Sequence, residues 1–253
     1  MEVDLNSDVG ESFGKWTSGD DEALIPLVTS VNVACGFHAG DPLVIERTVA
    51  LAMRSGAAIG AHPGYPDLAG FGRREMEMAP AEIEAAIVYQ IGAVGAFARA
   101  AGAELRHVKP HGALYNQAAV DASIAESIAR AVRRVSRDLV LVGFAGSVML
   151  DAGRAAGLRV AAEAFADRAY EPDGRLRSRR LLGAVHATPA AAAAQAVSIV
   201  RDGRVTAHDG SSVAIRADTI CLHGDTPNAP EFARAIRAAL TEAGLTIAAL
   251  PTS

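Results

Sequence analysis

The chain is 253 residues long and half of it is apolar, which suits one large domain and matches the usual size of an α/β barrel. A net charge of −5 leaves no basic footprint for nucleic acid, and two cysteines, Cys35 and Cys221, argue against a disulfide framework and for a reducing cytoplasm. Met1 is followed directly by Glu2 and Asp4, so no secretory leader is expected, and the most apolar window, Ala190 to Val200, is too short to span a bilayer.

In chain order, short apolar runs alternate with longer helical patterns, the signature of a parallel sheet with crossover helices. Strands are expected at 2–7, 30–35, 57–61, 104–109, 139–143, 158–162 and 218–222. Helices are expected at 20–28, 42–55, 80–101, 119–136, 146–156, 188–202 and 228–243. Start signals support three of them: Asp41 before Pro42, Thr188 before Pro189, and Asn228 after Pro227. No linker, repeat or low-complexity block divides the chain. About seven βα units favour an irregular seven-stranded (β/α) barrel, a single domain over residues 1–253, rather than an open sheet.

The residues just past each strand carry the chemistry. The first run ends in DLNSDVGE (4–11), the second in CGFHAGD (35–41), the third in GAHPGYPD (60–67) and the fourth in KPHGALYN (109–116). Later runs end in EAFADRAY (163–170) and LHGDTP (222–227). In a parallel α/β fold the carboxyl ends of the strands share one rim, where sites are built. Four of the seven histidines, His38, His62, His111 and His223, fall at these tips with Asp8, Asp41, Asp67, Glu163, Asp167 and Asp225.

The richest stretch is HVKPHGALYN (107–116). On an extended chain Lys109 and His111 point the same way, and Pro110 rules out a helical His107–His111 metal pair. Asp8, His62, Lys109 and His111 are read as functional, because a barrel interior normally holds branched aliphatics and a buried charge needs a partner. Other positions have plainer readings. Asp41 is a helix N-cap, His107 an interior histidine, Cys35 and Cys221 small buried hydrophobes, and His186 and His208 receive no role. Asp4 and Asn6 share a face with Asp8, so at least one is a buried hydrogen-bonding group.

Two loops stand out. Residues 62–79 contain GFGRR (70–74), in which Arg73 and Arg74 suit a phosphate or carboxylate clamp. Residues 163–187 carry Arg168, Arg175, Arg177, Arg179 and Arg180 around an Asp173-Gly174 turn, either a solvated loop or a lid over an anion. Arg168 is the best candidate there because it adjoins a strand tip. Gly10 to Lys15 looks like a P-loop but has three residues between its glycines, and Trp16 follows the lysine.

Together DLNSDVGE, NVACGFHAGDP, GAHPGYPD with GFGRR, HVKPHGALYN, EAFADRAYEPDG and ADTICLHGDTP resemble the LamB/YcsF family, in order from residue 2 to about 247. The resemblance implies an irregular seven-stranded barrel akin to glycoside hydrolase and deacetylase barrels. It also implies the A subunit of a bacterial 5-oxoprolinase, a hydrolase that opens the lactam of 5-oxoproline (pyroglutamate) to L-glutamate. ATP, with Mg2+, would be the co-substrate, and separate B and C subunits the partners. Matching polar positions are Asp8, His38, His62, Lys109, His111, Glu163, Asp167, Arg168, His223 and Asp225. On this reading Asp8, His62, Lys109 and His111 are catalytic. His38, Arg73, Arg74, Tyr115, Glu163, Asp167, Arg168, His223 and Asp225 bind substrate. Neither a nucleic acid nor a membrane is expected as a partner, and a homo-oligomer is compatible with the reading. Two alternatives stand beside it: a metal-dependent deacetylase or amidohydrolase with an Asp8-His62-His111 site, and a non-catalytic subunit that binds a lactam or sugar.

Overall fold

Strand β1 (Glu2–Val9) is buried along all but its first residue, and the rest of the chain closes around it. In this computed structural model, which describes residues 1–226 and 228–251, β1 pairs in parallel with β2 (Ser30–Ala34) on one side and β9 (Thr219–His223) on the other. From β2 the ladder continues through β3 (Ala58–His62), β4 (His107–Val108), β5 (Val140–Phe144) and β6 (Arg159–Phe165). Strand β6 pairs with β9, which closes a ring of seven parallel strands. Most ring residues are buried on both faces, so β3 and β5 read in sequence as apolar runs, whereas β1 alternates Val3, Leu5 and Val9 with polar residues.

Around the ring run α1 (Asp21–Leu24), α2 (Pro42–Ser55), α3 (Pro80–Ala100), α4 (Gly112–Ala118), α5 (Ala122–Val135), α6 (Val148–Ala155), α7 (Pro189–Val197) and α8 (Ala229–Glu242). Their form follows from local chemistry. In α5, Ala125, Ile128, Ala129 and Val132 recur at helical spacing and are all buried, while the Asp121 carboxylate accepts from the Ser123 and Ile124 amides at the N-terminus. Helix α2 starts on the Asp41 carboxylate in the same way and ends at Gly56, whose φ of 72° needs a residue without a Cβ.

Several expectations are corrected. Residues 20–28 split into α1 and a 3-10 turn (Ile25–Leu27), because Pro26 offers no amide to continue the helix. Helix α4, directly after His111, is an element beyond those expected. A hairpin of β7 (Arg204–Thr206) and β8 (Ser212–Ala214) and a short β10 (Thr246–Ile247) on the start of β1 are additional. Asn228 has a left-handed backbone and its side chain caps nothing, while Pro227 lies outside the described residues. Among the described residues helix α3, not the 190–200 window, is the segment long and apolar enough to cross a membrane; here Ile83, Ile87, Ile91, Val94 and Ala98 bury one of its faces in the core.

Candidate active site

Because side chains alternate along β1, Asp4, Asn6 and Asp8 all point into the ring. Each finds partners on the neighbouring strands. Asp4 accepts from the hydroxyls of Thr29, Ser30 and Thr219 at 2.7, 2.6 and 2.5 Å. The Asn6 amide donates to Glu163 Oε1 at 3.0 Å and to Thr219 at 2.7 Å. Asp8 lies in register with Asn32 of β2, whose amide donates to Asp8 Oδ1 at 2.9 Å. Asn32 in turn accepts from His107 Nε2 at 2.8 Å, across Gly60; a Cβ at Gly60 would overlap the His107 ring.

Lys109 enters at the centre of this network. Its ammonium donates to Asp8 Oδ1 at 2.8 Å, Glu163 Oε1 at 2.9 Å and Cys221 Sγ at 3.0 Å, and Tyr115 donates to the other Glu163 oxygen at 2.7 Å. Burying an ammonium costs several kcal/mol, so full pairing is what makes the position tenable. Burial alone would lower the Lys109 pKa, but Asp8, the Cys221 thiol and Glu163 outweigh it and hold the group well above its ordinary value. Burial pushes Asp8 up, and His62 and Lys109 more than reverse this, so its carboxyl sits well below the usual range. Both groups are therefore held ionised.

Beside this network His38, His62 and His111 meet. His62 donates from Nδ1 to the Lys109 carbonyl at 2.7 Å, and its Nε2 lies 3.4 Å from Asp8 Oδ2. His111 donates from Nε2 to the Phe71 carbonyl at 2.8 Å, while its Nδ1 faces His62 Nε2 at 2.9 Å. His38 stacks on His111, ring centroids 3.8 Å apart and planes 3° from parallel. Close packing needs glycines here: a Cβ on Gly64 would lie 2.7 Å from His38, and one on Gly72 2.8 Å from both His38 and His111. Phe71, between Gly70 and Gly72, holds a left-handed φ of 56°, a strained conformation that directs its carbonyl to His111. Burial drives the pKa of His38 far down, and burial with His38 and His62 does the same for His111. Glu11, just past the β1 tip, is also buried; burial and the charges of Asp8 and Asp225 raise its carboxyl well above the ordinary value.

The cavity above these groups measures about 980 Å³ and is lined by Asp8, His62, Lys109, His111, Tyr115 and His223 among others. On its rim His223 is oriented by Asp167, whose oxygens lie 3.0 and 3.1 Å from its Nδ1. Burial would raise the Asp167 pKa, but His223 and Thr226 bring it to about 2.

Residues 3–253 match the LamB/YcsF family. The chain belongs to that family. It is 58% identical to the A subunit of a 5-oxoprolinase from Chloroflexus aggregans, over 98% of both chains. The lactam utilization protein from Thermus thermophilus superposes with a TM-score of 0.93 at 51% identity, over 99% of this chain and 100% of that one. A family 4 carbohydrate esterase from Streptomyces lividans shares the fold at 12% identity, with a TM-score of 0.51 over 99% of this chain and 93% of its own.

The structure brings all four residues read as catalytic in this LamB/YcsF chain to one mouth, with His38, Tyr115 and His223 beside them. Other assignments need correction. Glu163 and Asp167 lie beneath the cavity lining, where they hydrogen-bond Lys109, Tyr115 and His223. Arg73 pairs with Asp225 at 2.6 Å and Arg74 with Asp67, so neither is a free clamp; both line the cavity. Arg168 donates from Nε to the Ala184 carbonyl at 3.2 Å and from Nη2 to the Arg177 carbonyl at 2.6 Å, bracing the loop instead of offering a bidentate grip. Arg179 and Arg180 line the cavity with guanidinium groups that make no hydrogen bond among the described residues. Cys221 is buried as expected, yet it accepts from Lys109 and is more than a packing residue. Sequence reasoning misses Glu11, although it closes the first strand-tip motif three residues after Asp8.

Proposed function

We propose that this chain is the A subunit of an ATP-dependent 5-oxoprolinase, opening the lactam of 5-oxoproline to L-glutamate with separate B and C subunits in the cytoplasm. One observation carries the reading: a Lys109–Asp8 ion pair faces the cavity beside the clustered rings of His38, His62 and His111, under a rim with arginines whose guanidinium groups make no hydrogen bond among the described residues. A five-membered lactam is an unactivated amide, and its carbon becomes open to water once the carbonyl oxygen is phosphorylated. In that scheme the lactam oxygen attacks the γ-phosphorus of ATP and ADP departs. Water then adds to the carbon, and the C–N bond breaks as the nitrogen gains a proton. A second water releases phosphate and completes the new carboxylate.

This chain's residues suit those steps. Lys109 stabilises negative charge on the phosphorylated oxygen. The His62–His111 pair, beside Asp8, takes the proton from water, and His223, oriented by Asp167, is placed to return one to the departing nitrogen. Arg179 or Arg180 holds the substrate carboxylate or phosphate. The chain has no P-loop sequence, so ATP is expected to be delivered largely through the partner subunits. The test is glutamate release from 5-oxoproline by this chain alone and together with B and C proteins. ATP-dependent release by the mixture and negligible release by the chain alone is expected. Full turnover without partners refutes the division of labour, and no release from the mixture refutes the substrate.

A further inference from the structure

The tautomers of His62 and His111 are set by backbone carbonyls, and the consequence is local. His62 donates from Nδ1 to Lys109, so in the neutral ring Nε2 carries a lone pair. His111 donates from Nε2 to Phe71, so Nδ1 carries one as well. These two lone pairs face each other at 2.9 Å. Two acceptors that close repel unless a cation, either a proton or a metal ion, lies on them. Two nitrogens 2.9 Å apart, each about 2.0–2.1 Å from a common ion, subtend about 90° at it, an ordinary angle for cis ligands.

Two further groups at the same point lack partners. Both nitrogens of His38 are buried without a hydrogen bond among the described residues. No hydrogen-bond donor among the described residues reaches the Glu11 carboxylate, whose Oε1 lies 3.8 Å from His111 Nδ1. One donor atom from each of Glu11, His38, His62 and His111 lies within 4.8 Å of the other three.

We propose that Glu11, His38, His62 and His111 form a site for one divalent transition-metal ion, with His62 Nε2, His111 Nδ1 and the Glu11 carboxylate as its primary ligands. Imidazole and carboxylate donors suit the zinc, cobalt or iron class rather than calcium. His38 lies parallel to His111, and turning its ring toward the other three residues would break no hydrogen bond, because it makes none among the described residues. Of the trio expected from sequence, both histidines are kept. Asp8, held by Lys109 and Asn32 through Oδ1, flanks the site while Glu11 and His38 complete it. A bound ion would occupy both lone pairs and would itself supply the polarising charge on water that the free imidazoles otherwise provide as bases.

The claim concerns binding by the isolated chain, so it stands or falls separately from the lactam reaction. Chelator-stripped protein is titrated with Co2+, followed by visible ligand-field absorption, and with Zn2+, followed by calorimetry. One equivalent of either ion is expected to bind. His62→Ala and His111→Ala are expected to weaken binding by more than about a hundredfold, beyond the range of outer-shell substitutions, and His186→Ala to leave it unchanged. Uptake of less than one equivalent by the wild type, or uptake that survives both ligand substitutions, overturns the site. Should the alanine variants fail to fold, nitrogen NMR of the wild type decides. Zn2+ must shift His62 Nε2 and His111 Nδ1, and a doubly protonated His62 unmoved by Zn2+ shows that a proton holds the pair instead.

Discussion

Two clusters of buried polar groups share the barrel mouth. Around Lys109 the side chains of Asp4, Asn6, Asp8, Asn32, His107, Glu163 and Thr219 are hydrogen-bonded to one another; around His111, His38 makes no hydrogen bond among the described residues and the ring nitrogens of His62 and His111 face each other at 2.9 Å. The first cluster is a scaffold that fixes a charge in place. The second is incomplete as protein alone and is completed by something it binds. Satisfied polar networks rigidify a fold, whereas unsatisfied buried atoms are costly and persist where function requires them.

Substitutions sharpen the contrast. Lys109→Met is expected to have the largest effect, because it leaves Asp8 and Glu163 buried without their cation. A loss of about 3–5 kcal/mol in urea unfolding is expected, and an unchanged midpoint would contradict the scaffold role.

Next comes the response to acid. Burial, then the charges of Lys109 and His62, lowers the His107 pKa from 6.5 to about 3. The unfolded chain therefore binds the extra proton first. Stability contributed by neutral His107 is fully present above about pH 6.5 and is lost as pH falls toward 3, amounting to a few kcal/mol. His107→Asn should flatten the slope of melting temperature against pH between 6.5 and 4. An equal slope in the variant would assign the acid sensitivity elsewhere.

Gly60→Ala is expected to cost about 1–3 kcal/mol by pushing the His107 ring off Asn32, as overpacking does. A neutral result in denaturant would show that the interior is looser than described. The smallest effect belongs to Arg154→Ala. This arginine is 58% exposed and its partner Asp151 76% exposed, so unfolding should not change measurably.

Much of this arrangement was legible in the sequence because a parallel barrel gathers strand tips at one end. Asp8, His62, Lys109 and His111 follow from that rule alone. What escaped depends on side-chain direction and on loops folding back. The GFGRR loop reads as an anion clamp from its arginines, yet its glycines and Phe71 serve the histidine cluster, and Asp67 and Asp225 hold the arginines. Arg168 adjoins a strand tip as expected, but only the folded loop reveals the carbonyls that engage it. Glu11 is one residue past a glycine with φ of 68°, where strand alternation no longer says which way a side chain points. The β7–β8 hairpin escaped because three-residue strands leave too short an alternating pattern to recognise.

The most direct test of the account is steady-state kinetics of the assembled A, B and C proteins with ATP and 5-oxoproline, comparing wild type with Lys109→Met in this chain. A fall in kcat of about 10²–10³-fold with KM for 5-oxoproline little changed is the predicted result, as for loss of a group that stabilises transition-state charge. Undiminished kcat, or a change confined to KM, would contradict a catalytic Lys109 and leave the barrel mouth as a binding pocket.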